Sequence, residues 1–177
     1  MTAESTPWSE PLRLPSPGGR PLTRRLVADE AARSRIARAL GLDRLHEPKA
    51  EATLTPWLDG AELKARWSAK VEQTCGVTLE PFRTPLQGEV AVKILPAGSR
   101  HAPRQAAEVA VDPEAADPPD VLEGAVVDLA AYVVEHLALE IDPFPRKPGA
   151  VFTPPEPEEP PSPFAVLKGL TANSKEE

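Results

Sequence analysis

One cysteine, three histidines and a scatter of carboxylates are the side chains of this 177-residue sequence suited to covalent or acid–base chemistry. Their spacing assembles none of it. A cysteine nucleophile needs a neighbouring base or cation to hold it as the thiolate. His46, His101 and His136 fall in what reads as a helix-exit loop, a proline-rich loop and a helix, and no motif links them to Cys75. Cys75 therefore reads as a small hydrophobe at a strand end. Glu135 and His136 are adjacent, so on a helix they point about 100° apart, and no H-E-x-x-H frame is present to make them converge. Asp112, Asp117 and Asp120 do not follow the spacing of a calcium loop. The phosphate cradles G-x-x-x-x-G-K and G-x-G-x-x-G are absent. No catalytic residue, cofactor or metal is expected.

Cations offer a different chemistry, the binding of anions. Arg24, Arg25, Arg33, Arg35 and Arg38, with Arg44 nearby, make a candidate phosphate-binding patch. The plainer alternative is a solvated helix face. Arg146 and Lys147 sit between Pro145 and Pro148, and a stiff turn loses little entropy on binding, so this pair is a second candidate for gripping a phosphate or an acidic surface. Alternatively, Arg146 bridges to Glu135 or Asp142 and fixes the turn. The net charge of −7 hides a gradient: Lys plus Arg against Asp plus Glu run 9 to 6 over residues 1–50, 7 to 6 over 51–104, and 4 to 15 over 105–177. The early part suits nucleic acid and the late part suits basic proteins.

Two helices and a sheet must position these groups. Asp128 is placed to cap a helix on which Leu129, Val133 and Leu137 form a stripe beside Tyr132 and Ile141, running until Pro143. A strand over Val121 to Val127 leads into it. Asp29 caps an earlier helix to about Leu42, with Ala32, Ile36, Ala39 and Leu40 inward and Gly41 as the stop. Leu63, Ala65, Trp67, Ala69 and Val71 alternate with polar residues, the period of a half-buried strand. Similar alternation before it (Ala52, Leu54, Leu58) and after it (Leu86, Val90, Val92, Ile94) predicts an antiparallel meander, with Asp59-Gly60 as a hairpin turn and a further strand over Pro21 to Val27. The fold class is α+β: a β-meander packed with two main helices, between Pro-rich flexible N- and C-terminal segments.

The expected organisation is an irregular lead-in over 1–20, a single domain over 21–152, an acidic Pro-rich linker over 153–163 and a short segment over 164–177. The internal Pro/Asp-rich loop spans 96–119, with a short strand at Glu108 to Val111. The first residues lack a basic and apolar leader, and the apolar-rich window Val121 to Leu139 is broken by charges, so a cytoplasmic protein without a membrane span is expected. A single cysteine suits that compartment.

Three motifs resemble those of the YceD family, the large ribosomal RNA subunit accumulation proteins. Gln73-Thr74-Cys75-Gly76-Val77-Thr78-Leu79-Glu80-Pro81 is similar to the family's Q-x-C-x-x-[CT]-L-E-P element. The second motif comprises Asp128, Glu135 and Leu137 with Asp142, Pro143, Pro145, Arg146, Pro148 and Gly149, and the third is Pro163-Phe164-Ala165-Val166-Leu167. The resemblance implies a non-enzymatic factor supporting accumulation or maturation of large-subunit ribosomal RNA. Its implied partners are ribosomal RNA, the pre-ribosomal large subunit or a basic large-subunit ribosomal protein. An acidic adaptor that binds such proteins without touching RNA is the alternative. Relatives carry a C-x-x-C pair that could bind a metal, but here Thr78 stands at the second position and no metal is implied.

Overall fold

A computed structural model describes residues 6–103 and 117–154. The elements are β1 (Pro11–Arg13), β2 (Leu22–Val27), α1 (Glu30–Ala39), β3 (Arg44–Trp57), β4 (Gly60–Thr74), β5 (Pro81–Pro96), β6 (Asp120–Leu122), β7 (Val126–Asp128) and α2 (Leu129–Glu140). Five strands form one sheet in the order β2-β3-β4-β5-β6, and β1 pairs separately with β7. From β2 to β5 the sheet is an antiparallel meander, while β6 joins β5 in parallel over Ile94 to Pro96. The class is α+β.

Alternation along β4 decides which face is buried. Leu63, Ala65, Trp67, Ala69 and Val71 are buried, whereas Lys64, Arg66 and Lys70 are exposed. Ala50, Ala52, Ala65 and Ala69 keep that inner face shallow, and α1 contacts it at β3 while α2 contacts it at β5. Ile36 from α1 and Leu129, Val133 and Leu137 from α2 share one core with Leu54, Leu63 and Ile94 of the sheet. Each such aliphatic side chain contributes roughly 1.5–3 kcal/mol on burial, enough together to hold both helices. The ring of Trp67 fills the space over Gly88, where a Cβ would lie 2.7 Å from it.

Both caps follow the sequence. The Asp29 carboxylate accepts the Ala32 N–H at 2.7 Å, and α1 stops at Gly41 (φ +66°), whose neighbour Leu42 returns its N–H to the Ala37 carbonyl. Ala37, rather than Ala39, supplies the buried small residue in the last turn. Ile36 and Ala37 together fix the rotation of the helix, which leaves Ala39 in water.

Several expectations are corrected. The two-residue hairpin turn is Leu58-Asp59, because Trp57 pairs with Gly60. At this strand position Gly60 lies against a third strand, where a Cβ would meet the Ile94 carbonyl and only glycine fits, and Leu58 takes the turn at φ +53°. The single strand expected over Val121 to Val127 is split at Gly124 (φ +101°) into β6 and β7, which belong to different sheets. The lead-in over 1–20 is not wholly irregular, since it contains β1 and the buried Trp8. The second helix ends at Glu140, ahead of Pro143, with Ile141 already extended yet packed on the core. His46 lies in β3, not in a loop. The Glu108 to Val111 strand, most of the 153–163 linker and the 164–177 segment lie outside the described residues.

Gly88→Ala is expected to cost about 1–3 kcal/mol by overpacking the Trp67 ring. Urea unfolding followed by tryptophan fluorescence checks it, and an unchanged midpoint would show that the ring has room to give.

Candidate functional site

The first two motifs meet in space. Between β4 and β5 the chain turns through Gly76-Val77-Thr78-Leu79, closed by Cys75 N–H to the Glu80 carbonyl and Leu79 N–H to the Cys75 carbonyl, both at 2.9 Å. Leu79 takes φ +57° and is 77% exposed, so its family position reflects the turn rather than the core. Against this turn lies the segment after α2. Gly76 N–H donates to the Pro145 carbonyl at 2.9 Å, Gln73 Nε2 to the Asp142 carbonyl at 3.0 Å, and Lys147 Nζ to Glu80 Oε2 at 2.8 Å. Asp142 also closes its own turn by accepting the Phe144 N–H at 2.8 Å. Pro143, Pro145 and Pro148 keep the segment extended, and Gly149 (φ +80°) ends it.

Cys75 sits at the centre of the joint and is not a plain hydrophobe. Its sulfur is buried and accepts backbone N–H groups from Val77 and Thr78 at 3.4 Å and from Lys147 at 3.3 Å. The Thr78 hydroxyl, then these N–H groups, pull the thiol down to about 6 against the opposing effect of burial. Donors surround the sulfur, so the site stabilises a thiolate while hiding it from any substrate. Among the described residues no three His, Cys, Asp or Glu side chains group as a metal site.

Lys147 is therefore committed to the joint rather than offered outward. Its ammonium is raised, and the Glu80 carboxyl lowered, by their mutual hydrogen bond and attraction. No ion pair joins Glu135 to Arg146 among the described residues. Glu135 is exposed on α2, and Arg146 borders a small hollow with Glu140 and Asp142. Pro81 opens β5 at the far side of the turn.

Asp128 forms a second joint. Its carboxylate accepts Ala130 and Ala131 N–H at 3.1 and 3.3 Å, and also Glu10 N–H at 2.8 Å and Ser9 Oγ at 2.6 Å. One side chain thus caps α2 and ties β1 to it.

The arginine patch divides. Arg33 and Arg38 of α1 face Arg44 and His46 of β3 across a hollow of about 710 Å³, with Glu30 and Asp43 at its rim. Arg35 donates instead to the Pro7 carbonyl at 3.0 Å, and Arg24 to its neighbour's carbonyl at Thr23. Arg25 points to the outer face of the sheet beside Lys49, Glu51 and Arg66. The contribution of His46 was hidden because the residues around it read as a loop; the i, i+2 spacing of Arg44 and His46 on one strand was its only signal.

Fold and joints define an α+β scaffold in which the Cys75 turn and the segment after α2 are hydrogen-bonded to each other. The family model described as large ribosomal RNA subunit accumulation protein YceD matches residues 63–171, more than half of the chain, and the chain belongs to that family. The family's description places it in ribosome biogenesis. No curated protein and no solved structure gives a significant match. No helix among the described residues is long and apolar enough to cross a membrane.

Two outcomes test the joints. A thiol held below its ordinary value of 9.0, at about 6, adds stability that is complete above pH 9 and lost as pH falls through 6. The thermal midpoint of the protein should therefore exceed that of Cys75→Ala by a margin that shrinks from pH 9 to pH 6, while iodoacetamide labels Cys75 only on unfolding. Asp128→Ala should cost about 1–2 kcal/mol, the worth of a strong cap, and speed hydrogen exchange at the Leu14 amide, which bonds to Ala125 across the β1–β7 pair.

Proposed function

We propose that this protein is a non-enzymatic, cytoplasmic ribosome-biogenesis factor that supports large-subunit ribosomal RNA by holding RNA phosphates at the hollow between α1 and β3. The observation that carries this is the grouping of Arg33, Arg38 and Arg44 around one hollow, with none of the three in a salt bridge among the described residues. Glu30 and Asp43 line the hollow without a salt bridge to any of the three among the described residues, and Glu72, which His46 meets at 3.1 Å, is taken by Arg83 at 2.7 Å. Asp43 is likewise engaged by the Thr74 hydroxyl at 2.8 Å. Unpaired guanidinium groups keep their full donor capacity for a phosphate, which they meet with two parallel hydrogen bonds. No Phe, Tyr or Trp lines the hollow, and the His46 ring there is held by Glu72 at 3.1 Å. Recognition there is of backbone phosphate rather than of stacked bases.

The acidic part of the chain favours a second reading. From Asp117 to Pro145 there are seven Asp and Glu residues and no Lys or Arg, a surface suited to a basic ribosomal protein.

A salt titration of binding to large-subunit ribosomal RNA separates the two. Arg33→Glu with Arg38→Glu should weaken binding at low salt at least tenfold and flatten the log–log salt dependence by roughly 0.7–0.9 per lost phosphate contact. An unchanged slope would overturn the phosphate role. Basic proteins that stay bound after nuclease digestion would move the contact to the acidic surface.

A further inference from the structure

The sheet has one long open edge. β5 runs for 16 residues, yet β6 covers only Ile94 to Pro96 of it, so Pro81 to Lys93 have β4 on one side and no strand on the other among the described residues. Pro118 and Pro119, just before β6, bar that strand from extending along β5.

The direction of the free backbone groups follows from Pro85. Proline has no N–H, so in mid-strand opposite Lys70 its nitrogen must face away from β4. The register between β4 and β5 runs unbroken from Ala61↔Ile94 to Thr74↔Pro81. With a period of two, Gln87, Glu89 and Ala91 therefore also aim their N–H groups at the open side.

Natural edges are usually guarded by charged side chains that overhang them. Here each is drawn back across the sheet. Arg83 donates to Glu72 of β4 at 2.7 Å, Glu89 is held by Arg66 of β4 at 2.9 Å, and the Lys93 ammonium lies 5.2 Å from the ring centre of Trp57 in β3. On the inner face Leu86 and Val92 are only partly buried, which leaves apolar surface for the side chains of a further strand.

Charge says what kind of strand would fit. Glu140 and Asp142 outnumber Arg146 in the hollow by Phe82, Thr84 and Leu86 at one end of the edge, and Asp120 pairs with Ile94 at the other. Neither β6 nor α2 carries a Lys or Arg. We propose that the Gln87 to Lys93 edge of β5 accepts an extended cationic peptide as an added β-strand, with small apolar residues alternating with Lys or Arg. Backbone hydrogen bonds to Gln87, Glu89 and Ala91 supply the register, and the acidic ends supply the preference for positive charge. This gives the acidic-surface reading a defined contact and does not involve the arginine hollow.

The full chain is titrated with acetyl-(Lys-Val)3-Lys-amide, with the Glu-Val counterpart and with the lysine peptide N-methylated at alternate residues, following amide shifts and hydrogen exchange. The lysine peptide should slow exchange at Gln87, Glu89 and Ala91, and the glutamate and N-methylated peptides should bind at least tenfold more weakly. Ala91→Pro and Gln87→Pro remove only outward donors, so each should lose binding at least tenfold while the β4 amides keep their protection. Equal binding by the N-methylated peptide, or by a folded proline variant, would overturn the proposal. Amides at Gln87 and Ala91 already protected in the free chain would also overturn it, since the edge would then be filled by the chain itself or by a second copy. None of these results bears on nuclease-resistant capture of basic proteins, which tests the acidic-surface reading by itself.

Discussion

The carboxylate of Asp128 accepts hydrogen bonds from the first turn of its own helix and from Glu10, 118 residues away in sequence. A helix begins with backbone donors that have no partner within the helix, and those of α2 point to where β1 passes. A single acceptor resolves both demands. With α2 fixed at its start, Leu129, Val133 and Leu137 are directed onto β5, and the chain leaving α2 reaches the Cys75 turn. Asp128 thus governs the placement of the second motif, although it touches no residue of the first.

What the sequence made legible is local. Asp29 and Asp128 were readable as caps because a cap depends on one side chain and the next three amides. The alternation in β4 was readable because one face of that strand is water and the other is core. The turn at Leu58-Asp59 was not, because the close neighbour that requires glycine at position 60 of the strand is Ile94, on another strand. Gly124 divides β6 from β7 for a similar reason, since each half answers to a partner far away in the chain. Among the candidate residues, Arg33 and Arg38 were readable together from their helical spacing. Nothing local could show that Arg44 and His46 oppose them, that Arg35 is spent on Pro7, or that Lys147 rather than Arg146 makes the ion pair. Ion pairs of this kind are chosen by the closure of the joint, and closure is a three-dimensional fact.

Charge on the outer face of the sheet follows the register. Arg25, Glu51, Arg66 and Glu89 stand opposite one another across β2 to β5, a row of alternating sign. Exposed pairs of this sort add little to stability. Their effect is to neutralise the middle of the face, which leaves net positive charge at the α1 hollow and net negative charge along α2. The two poles thus lie at the two helices, α1 over β3 and α2 over β5.

The β1–β7 pair has a consequence for synthesis on the ribosome. The meander from β2 to β5 is built from neighbours in sequence, so its loops are short and close early. β1 precedes the meander in sequence, but its partner is Val126 to Asp128, so it pairs only once the whole meander is available to fold. Of the described strand pairs, the one that joins the most distant parts of the sequence is thus the one that must wait for β7 and the start of the second helix.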